Sequence, residues 1–135
     1  MQTAFGIPIQ CRAAMVQHAL RELPNECCGV LIGHHGQIER VVALRNAEPS
    51  PETYAVDPEE QIALFTDMEK KGEQLLGIYH SHPQGPSEPS GMDLRLAFHP
   101  DVLYVIISLA KPEQPEVRGF LLTDHGFREV SVVFF

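Results

Sequence analysis

The stretch Gly77-Ile78-Tyr79-His80-Ser81-His82-Pro83-Gln84-Gly85-Pro86-Ser87-Glu88-Pro89-Ser90-Gly91-Met92-Asp93 reads as an apolar strand that runs into a Pro- and Gly-rich loop and then enters a helix bearing a carboxylate. Side chains at i and i+2 of an extended strand share a face, so His80 and His82 can approach one ion without backbone distortion. Ser90 suits a helix N-cap. Asp93 then falls in the first helical turn, where the positive end of the helix dipole tolerates a carboxylate. Two imidazoles and a carboxylate are ligands of the kind Zn²⁺ takes in hydrolytic sites, and they leave the fourth tetrahedral position for water. The competing reading is a plain strand end followed by a capped helix. The chain has 7 histidines, so an isolated His-x-His pair decides little by itself. The set with Pro83, Ser90 and Asp93 at these spacings favours the metal site.

Hydrolysis at such a site also needs a group that takes a proton from water and delivers it to the leaving group. Among the carboxylates Glu26 stands out, because it opens the apolar segment Glu26-Cys27-Cys28-Gly29-Val30-Leu31-Ile32-Gly33, which reads as a buried strand entering a turn. A carboxylate there is costly unless it is paired or functional. Taken alone, Glu26 also fits as the exposed end of the first helix.

Pro24-x-Glu26-x-Cys28-Gly29, followed by His80-x-His82-Pro83, six residues, Ser90, two residues and Asp93, resembles the JAMM signature of the MPN-domain metalloproteases. Two separated segments agree with it in residue type, order and spacing, and the likeness extends over most of the chain. The resemblance implies His80, His82 and Asp93 as zinc ligands, Glu26 as general acid/base, and Ser90 as a hydrogen-bond donor to the tetrahedral oxyanion. It also implies hydrolysis of an amide or isopeptide bond at the C-terminal Gly-Gly tail of a ubiquitin-like or sulfur-carrier protein, with the extended tail lying along a strand of the enzyme. The polar segment Asn46 to Val56 is the candidate for that strand, and a plain surface loop is the equal alternative. The interval from Asp93 to the next strand at Val102 is short, so the long insertion with which eukaryotic members hold ubiquitin is not expected. A minimal chain of this kind is similar to the stand-alone bacterial and archaeal members, which include enzymes that release cysteine from a carrier.

Composition bounds the alternatives. At 135 residues, one domain spanning 1–135 is expected. A hydrophobic share of 44% and a charged share of 21% are those of a globular protein. The formal charge of −8 and the dispersal of the 10 Lys and Arg residues argue against nucleic acid as a partner. No signal-like N-terminus or membrane-length apolar run is evident, so a cytoplasmic location is expected, with no membrane partner. Cys11, Cys27 and Cys28 lack Cys-x-x-Cys spacing and read as buried thiols. The oligomeric state is open, a homodimer included.

The expected fold class is α/β, a mixed central β-sheet flanked by helices, similar to the deaminase-like core of MPN domains. Expected strands are Ile7 to Ile9, Cys27 to Ile32, Ile38 to Leu44, a short Tyr54 to Val56, Leu75 to Tyr79, Val102 to Leu109, Val117 to Thr123 and Phe127 to Phe135. The first helix is expected from Arg12 to Leu23, with Val16, Ala19, Leu20 and Leu23 on its core face. A second helix is capped by Asp57, carries Pro58 at its first position, closes a capping box with Glu60, buries Ile62, Phe65 and Met68, and stops at Gly72. A third is expected from Ser90 to Phe98. The run from Leu75 to Tyr79 suits a central strand delivering the histidines to the edge of the sheet. His34 and His35 read as a hairpin tip, and His18, His99 and His125 as surface or turn residues. Two other functions are weighed: a zinc hydrolase of small molecules, disfavoured by the missing His-x-Glu and Pro-Cys-x-x-Cys elements, and a metal-binding interaction module without turnover, which a lost ligand or base would mark.

Overall fold

The computed structural model describes residues 4–91 and 101–135, and its strands form one seven-stranded mixed sheet. In chain order the elements are β1 (Ala4–Ile7), α1 (Ile9–Arg21), β2 (Cys28–His34), β3 (Gln37–Leu44), α2 (Pro58–Lys71), β4 (Gln74–His82), β5 (Leu103–Ser108), β6 (Glu116–Thr123) and β7 (Gly126–Phe134). The strand order is β1-β7-β6-β5-β4-β2-β3, with β1/β7 and β4/β5 parallel and the remaining neighbours antiparallel. The sheet curls about α1 so that Ile7 of β1 and Ile38 of β3 share one core with Cys11, Met15 and Ala19 of the helix and Leu31, Tyr79, Val105 and Ile107 of the central strands. All six residues of β5 are buried, as a near-continuous apolar run requires of a strand covered on both faces. Each such Val or Ile contributes about 1.5–3 kcal/mol on burial.

Several expectations shift. The first strand ends at Ile7 because Pro8, at φ −56° and ψ 139°, sits at the helix N-terminus, and Ile9 opens α1 with 60% of its surface exposed. The buried face of α1 carries Cys11, Met15, His18 and Ala19, while Leu20 and Leu23 are exposed. The contour of the curled sheet selects that stripe, and a local apolar count cannot. His18, expected at the surface, is buried, and its Nδ1 lies 2.7 Å from the Tyr79 hydroxyl. Tyr79 in turn packs across Gly29, where an added Cβ would lie 2.3 Å from the ring.

On the opposite face α2 begins at Asp57, whose side chain accepts from the Glu59 amide, and ends at Gly72, at φ 68°. The capping box does not form: Glu60 Oε1 instead accepts from the Arg45 amide at 2.6 Å, closing the end of β3. Ile62 is 68% exposed and only Met68 of the expected trio is buried, because α2 spans an apolar cavity of about 310 Å³ with Leu64 and Phe65 turned toward it. The expected strand Tyr54 to Val56 reduces to one isolated bridge, Asn46 to Val56. The hairpin tip forms as expected, with His35 and Gly36 both at positive φ (53° and 73°), the geometry of a type I′ turn. His125 is exposed in the turn between β6 and β7. The three cysteines are buried and unpaired in disulfides. Beyond Gly91 the expected helix from Ser90 to Phe98, and His99, fall on residues 92–100, outside the described residues. Among the described residues no helix is long and apolar enough to cross a membrane.

Candidate metal and catalytic site

Strand β4 runs longer than its apolar core suggests and ends on His80, Ser81 and His82; β2 pairs with it as far as His80, and β5 as far as His82. The register pairs Cys28 with His80 on β2 and His82 with Ser108 on β5. Both imidazoles are buried, and their Nε2 atoms stand 3.2 Å apart. His82 Nδ1 lies 2.7 Å from the Pro86 carbonyl oxygen. A carbonyl only accepts, so Nδ1 carries the proton, which leaves Nε2, facing His80, as the nitrogen available to a metal. That outer hydrogen bond is the usual device for orienting a metal-binding imidazole. Two nitrogens each about 2.0–2.1 Å from a shared tetrahedral centre stand about 3.3 Å apart, so the pair fits a common Zn²⁺. Asp93, the third expected ligand, lies outside the described residues. Among the described residues no group of three His, Cys, Asp or Glu side chains forms a metal cluster.

The loop that leaves β4 is held in place from β5 and β6. Ser108 Oγ donates to the Gly85 carbonyl at 2.6 Å, and the buried Ser87 hydroxyl donates to Glu116 Oε1 at 3.2 Å. Ser90 is exposed and stands just before Gly91, the last described residue ahead of Asp93.

Glu26 precedes β2 and is only 3% exposed. The alternative of an exposed helix end is thereby set aside. The Ser81 amide donates to the Cys27 carbonyl at 3.2 Å, while the Cys27 amide donates to Ser81 Oγ at 2.8 Å. A hydroxyl thus takes the place of the main-chain carbonyl that would continue the ladder, and the two strands part here. The β2–β4 ladder ends at the Cys28–His80 pair, and Glu26 lies two residues before Cys28, at that end of the ladder. The two motif segments, far apart in sequence, therefore meet.

Three neighbours of the site have roles that motif reading does not assign. Tyr54 stacks on His80, with ring centroids 5.0 Å apart and 28° between planes. Asn46 is buried and donates from Nδ2 to the Glu26 carbonyl at 3.1 Å. Ser81 forms the clamp just described. Tyr54 and Asn46 belong to a polar loop with no spacing signature; only the turn preference of an Asn following a strand marks it. The apolar cavity under α2 begins at this wall and is lined by Cys28, Tyr54, Val56, Leu64, Phe65 and Ile78 among others. Burial pushes the Cys28 thiol up to about 12, so the cavity wall there is uncharged.

Residues 8–122 match the family model Prok-JAB, described as prokaryotic homologs of the JAB domain. The chain belongs to this family. The resemblance read from the two motif segments is borne out, and the mixed sheet with its helices is consistent with the JAB/MPN fold. Among curated relatives, the CysO-cysteine peptidase of Mycobacterium tuberculosis (strain ATCC 25618 / H37Rv) is 40% identical over 121 residues, covering 88% of this chain and 83% of the relative. The probable TtuB-protein conjugate cleaving protease of Thermus thermophilus is 41% identical over 117 residues, covering 86% of this chain and 73% of the relative. The solution structure of protein DSY2949 from Desulfitobacterium hafniense superimposes with a TM-score of 0.88 at 40% identity, covering 97% of this chain and 92% of that one.

Proposed function

We propose that this Prok-JAB chain is a zinc-dependent peptidase or isopeptidase that hydrolyses the amide bond at the C-terminal Gly-Gly tail of a ubiquitin-like or sulfur-carrier protein. The observation that carries the reading is the convergence of His80 and His82 Nε2 at 3.2 Å on β4, the strand whose neighbour β2 begins two residues after the buried Glu26. The relatives named as a peptidase and a conjugate-cleaving protease support the substrate class. His80, His82 and Asp93 hold the metal, which when bound supplies a Lewis acid and acidifies water near neutral pH. Glu26 takes the proton of the attacking water on its carboxylate and passes it to the leaving nitrogen. Ser90 donates its hydroxyl hydrogen to the oxyanion. The tail approaches between the 46–56 segment and α2, where the apolar cavity receives one of its apolar side chains. Three buried thiols outside any disulfide suit a reducing, cytoplasmic setting.

The test is incubation with carriers ending in Gly-Gly-Cys, or in Gly-Gly joined to a lysine side chain, followed by mass spectrometry. Release of cysteine or lysine with a carrier ending in Gly-Gly is expected. Intact carriers in the presence of stoichiometric zinc would sink the reading. For Ser90, replacement by alanine is expected to lower kcat by about ten- to a thousand-fold with zinc content unchanged. A variant with wild-type turnover and a stability lowered by about 1 kcal/mol would reduce Ser90 to a helix cap.

A further inference from the structure

Glu26 lies outside the β-ladder, which begins at Cys28, and both of its main-chain groups are held by the 46–56 loop instead of by a strand. Its amide donates to the Ser50 carbonyl at 2.8 Å, and its carbonyl accepts from Asn46 Nδ2 at 3.1 Å. Asn46 is 7% exposed and fills its whole hydrogen-bonding capacity. Nδ2 donates to the carbonyls of Glu26 and Thr53 (3.1 and 3.4 Å), and Oδ1 accepts from the amides of Glu48 and Ala55 (3.1 and 3.0 Å). Two carbonyl partners on one side and two amide partners on the other fix the orientation of the side-chain amide. The same loop carries Tyr54 onto the face of His80, and its ends are joined by the Asn46–Val56 bridge and the Ala47 amide to Ala55 carbonyl bond at 2.7 Å.

We propose that Asn46 is a positioning residue for the hydrolytic reaction: it ties the Glu26 main chain to the loop that walls the substrate approach, and so sets where the Glu26 carboxylate stands relative to His80 and His82. The inference rests on Glu26 acting as the proton-transferring group. A displacement of about 1 Å in such a group costs about a hundredfold in rate. Asn46 touches neither metal-binding imidazole, so its loss acts on turnover and leaves metal binding alone.

Two substitutions separate its jobs. Asn46→Ala removes every bond. Asn46→Asp keeps the acceptor for the Glu48 and Ala55 amides and removes the donor to Glu26 and to Thr53. In the metal-free protein, hydrogen exchange should show the Glu26 and Ala55 amides opening about tenfold faster in Asn46→Ala, whereas Asn46→Asp should keep Ala55 protected. With zinc, Asn46→Asp should lose about ten- to a hundredfold in kcat, with KM and zinc content within about twofold of wild type. Wild-type kcat in Asn46→Asp, or an effect confined to KM or to zinc content, overturns the proposal. Glu26→Gln distinguishes the two readings. Turnover retained in Glu26→Gln removes the base itself, while an inactive Glu26→Gln alongside a fully active Asn46→Asp removes only the positioning role.

Discussion

Glu26→Gln is expected to leave the fold and about one zinc per chain in place while kcat falls by about two to four orders of magnitude, the range general acid–base catalysis supplies. Glutamine matches the shape of glutamate and cannot accept the proton. Because Glu26 is buried at the parting of β2 and β4, the neutral side chain also avoids the expense of an enclosed charge. Folding should therefore be unharmed, and an unchanged or raised melting temperature should accompany the lost turnover. Metal analysis and steady-state kinetics on the same preparation check both halves. Wild-type activity would send the search to another carboxylate, and a loss of zinc would make Glu26 a ligand.

His82→Ala is expected to remove the tight metal site and all measurable hydrolysis. The ring is one of two imidazoles whose Nε2 atoms converge, and the Pro86 carbonyl fixes its tautomer. With one nitrogen gone, a single imidazole and the expected carboxylate cannot complete the three protein ligands of a hydrolytic zinc site. Added zinc at about a hundred times its dissociation constant stabilises a protein that binds it only when folded by about 2.7 kcal/mol. That increment should appear in wild-type melting curves and vanish in His82→Ala. Replacing His125, exposed in the turn between β6 and β7, should change neither zinc content nor the zinc-dependent shift. Stoichiometric zinc retained in His82→Ala would overturn the ligand assignment.

Local sequence goes far here because the chemistry is concentrated in short segments with rigid periodicities. A strand places His80 and His82 on one face whatever surrounds it, and Asp57, Pro58 and Gly72 bound α2 through backbone preferences that act within a turn. The I′ turn at His35-Gly36 and the buried run of β5 follow from the same short-range rules. Where competing partners exist, local reading fails. Glu60 satisfies the Arg45 amide instead of its own helix terminus, and α1 buries Cys11, Met15 and His18 because the curl of the sheet, not the apolar count, chooses the stripe.

The sequence by itself determined that a His-x-His strand end, a following Ser and Asp at fixed spacing, and a carboxylate at the head of an apolar strand exist in this chain, and that its elements alternate as in an α/β domain. Only the tertiary structure decided that β2 and β4 are neighbours in the register that pairs Cys28 with His80, that Ser81 parts the ladder just beyond, and that Asn46 and Tyr54 reach the site from a loop without a motif. The physical reason is range. Periodicity and capping are set by neighbours within a few residues, whereas strand pairing and the filling of a buried amide's hydrogen bonds depend on segments that meet only when the whole sheet closes its core.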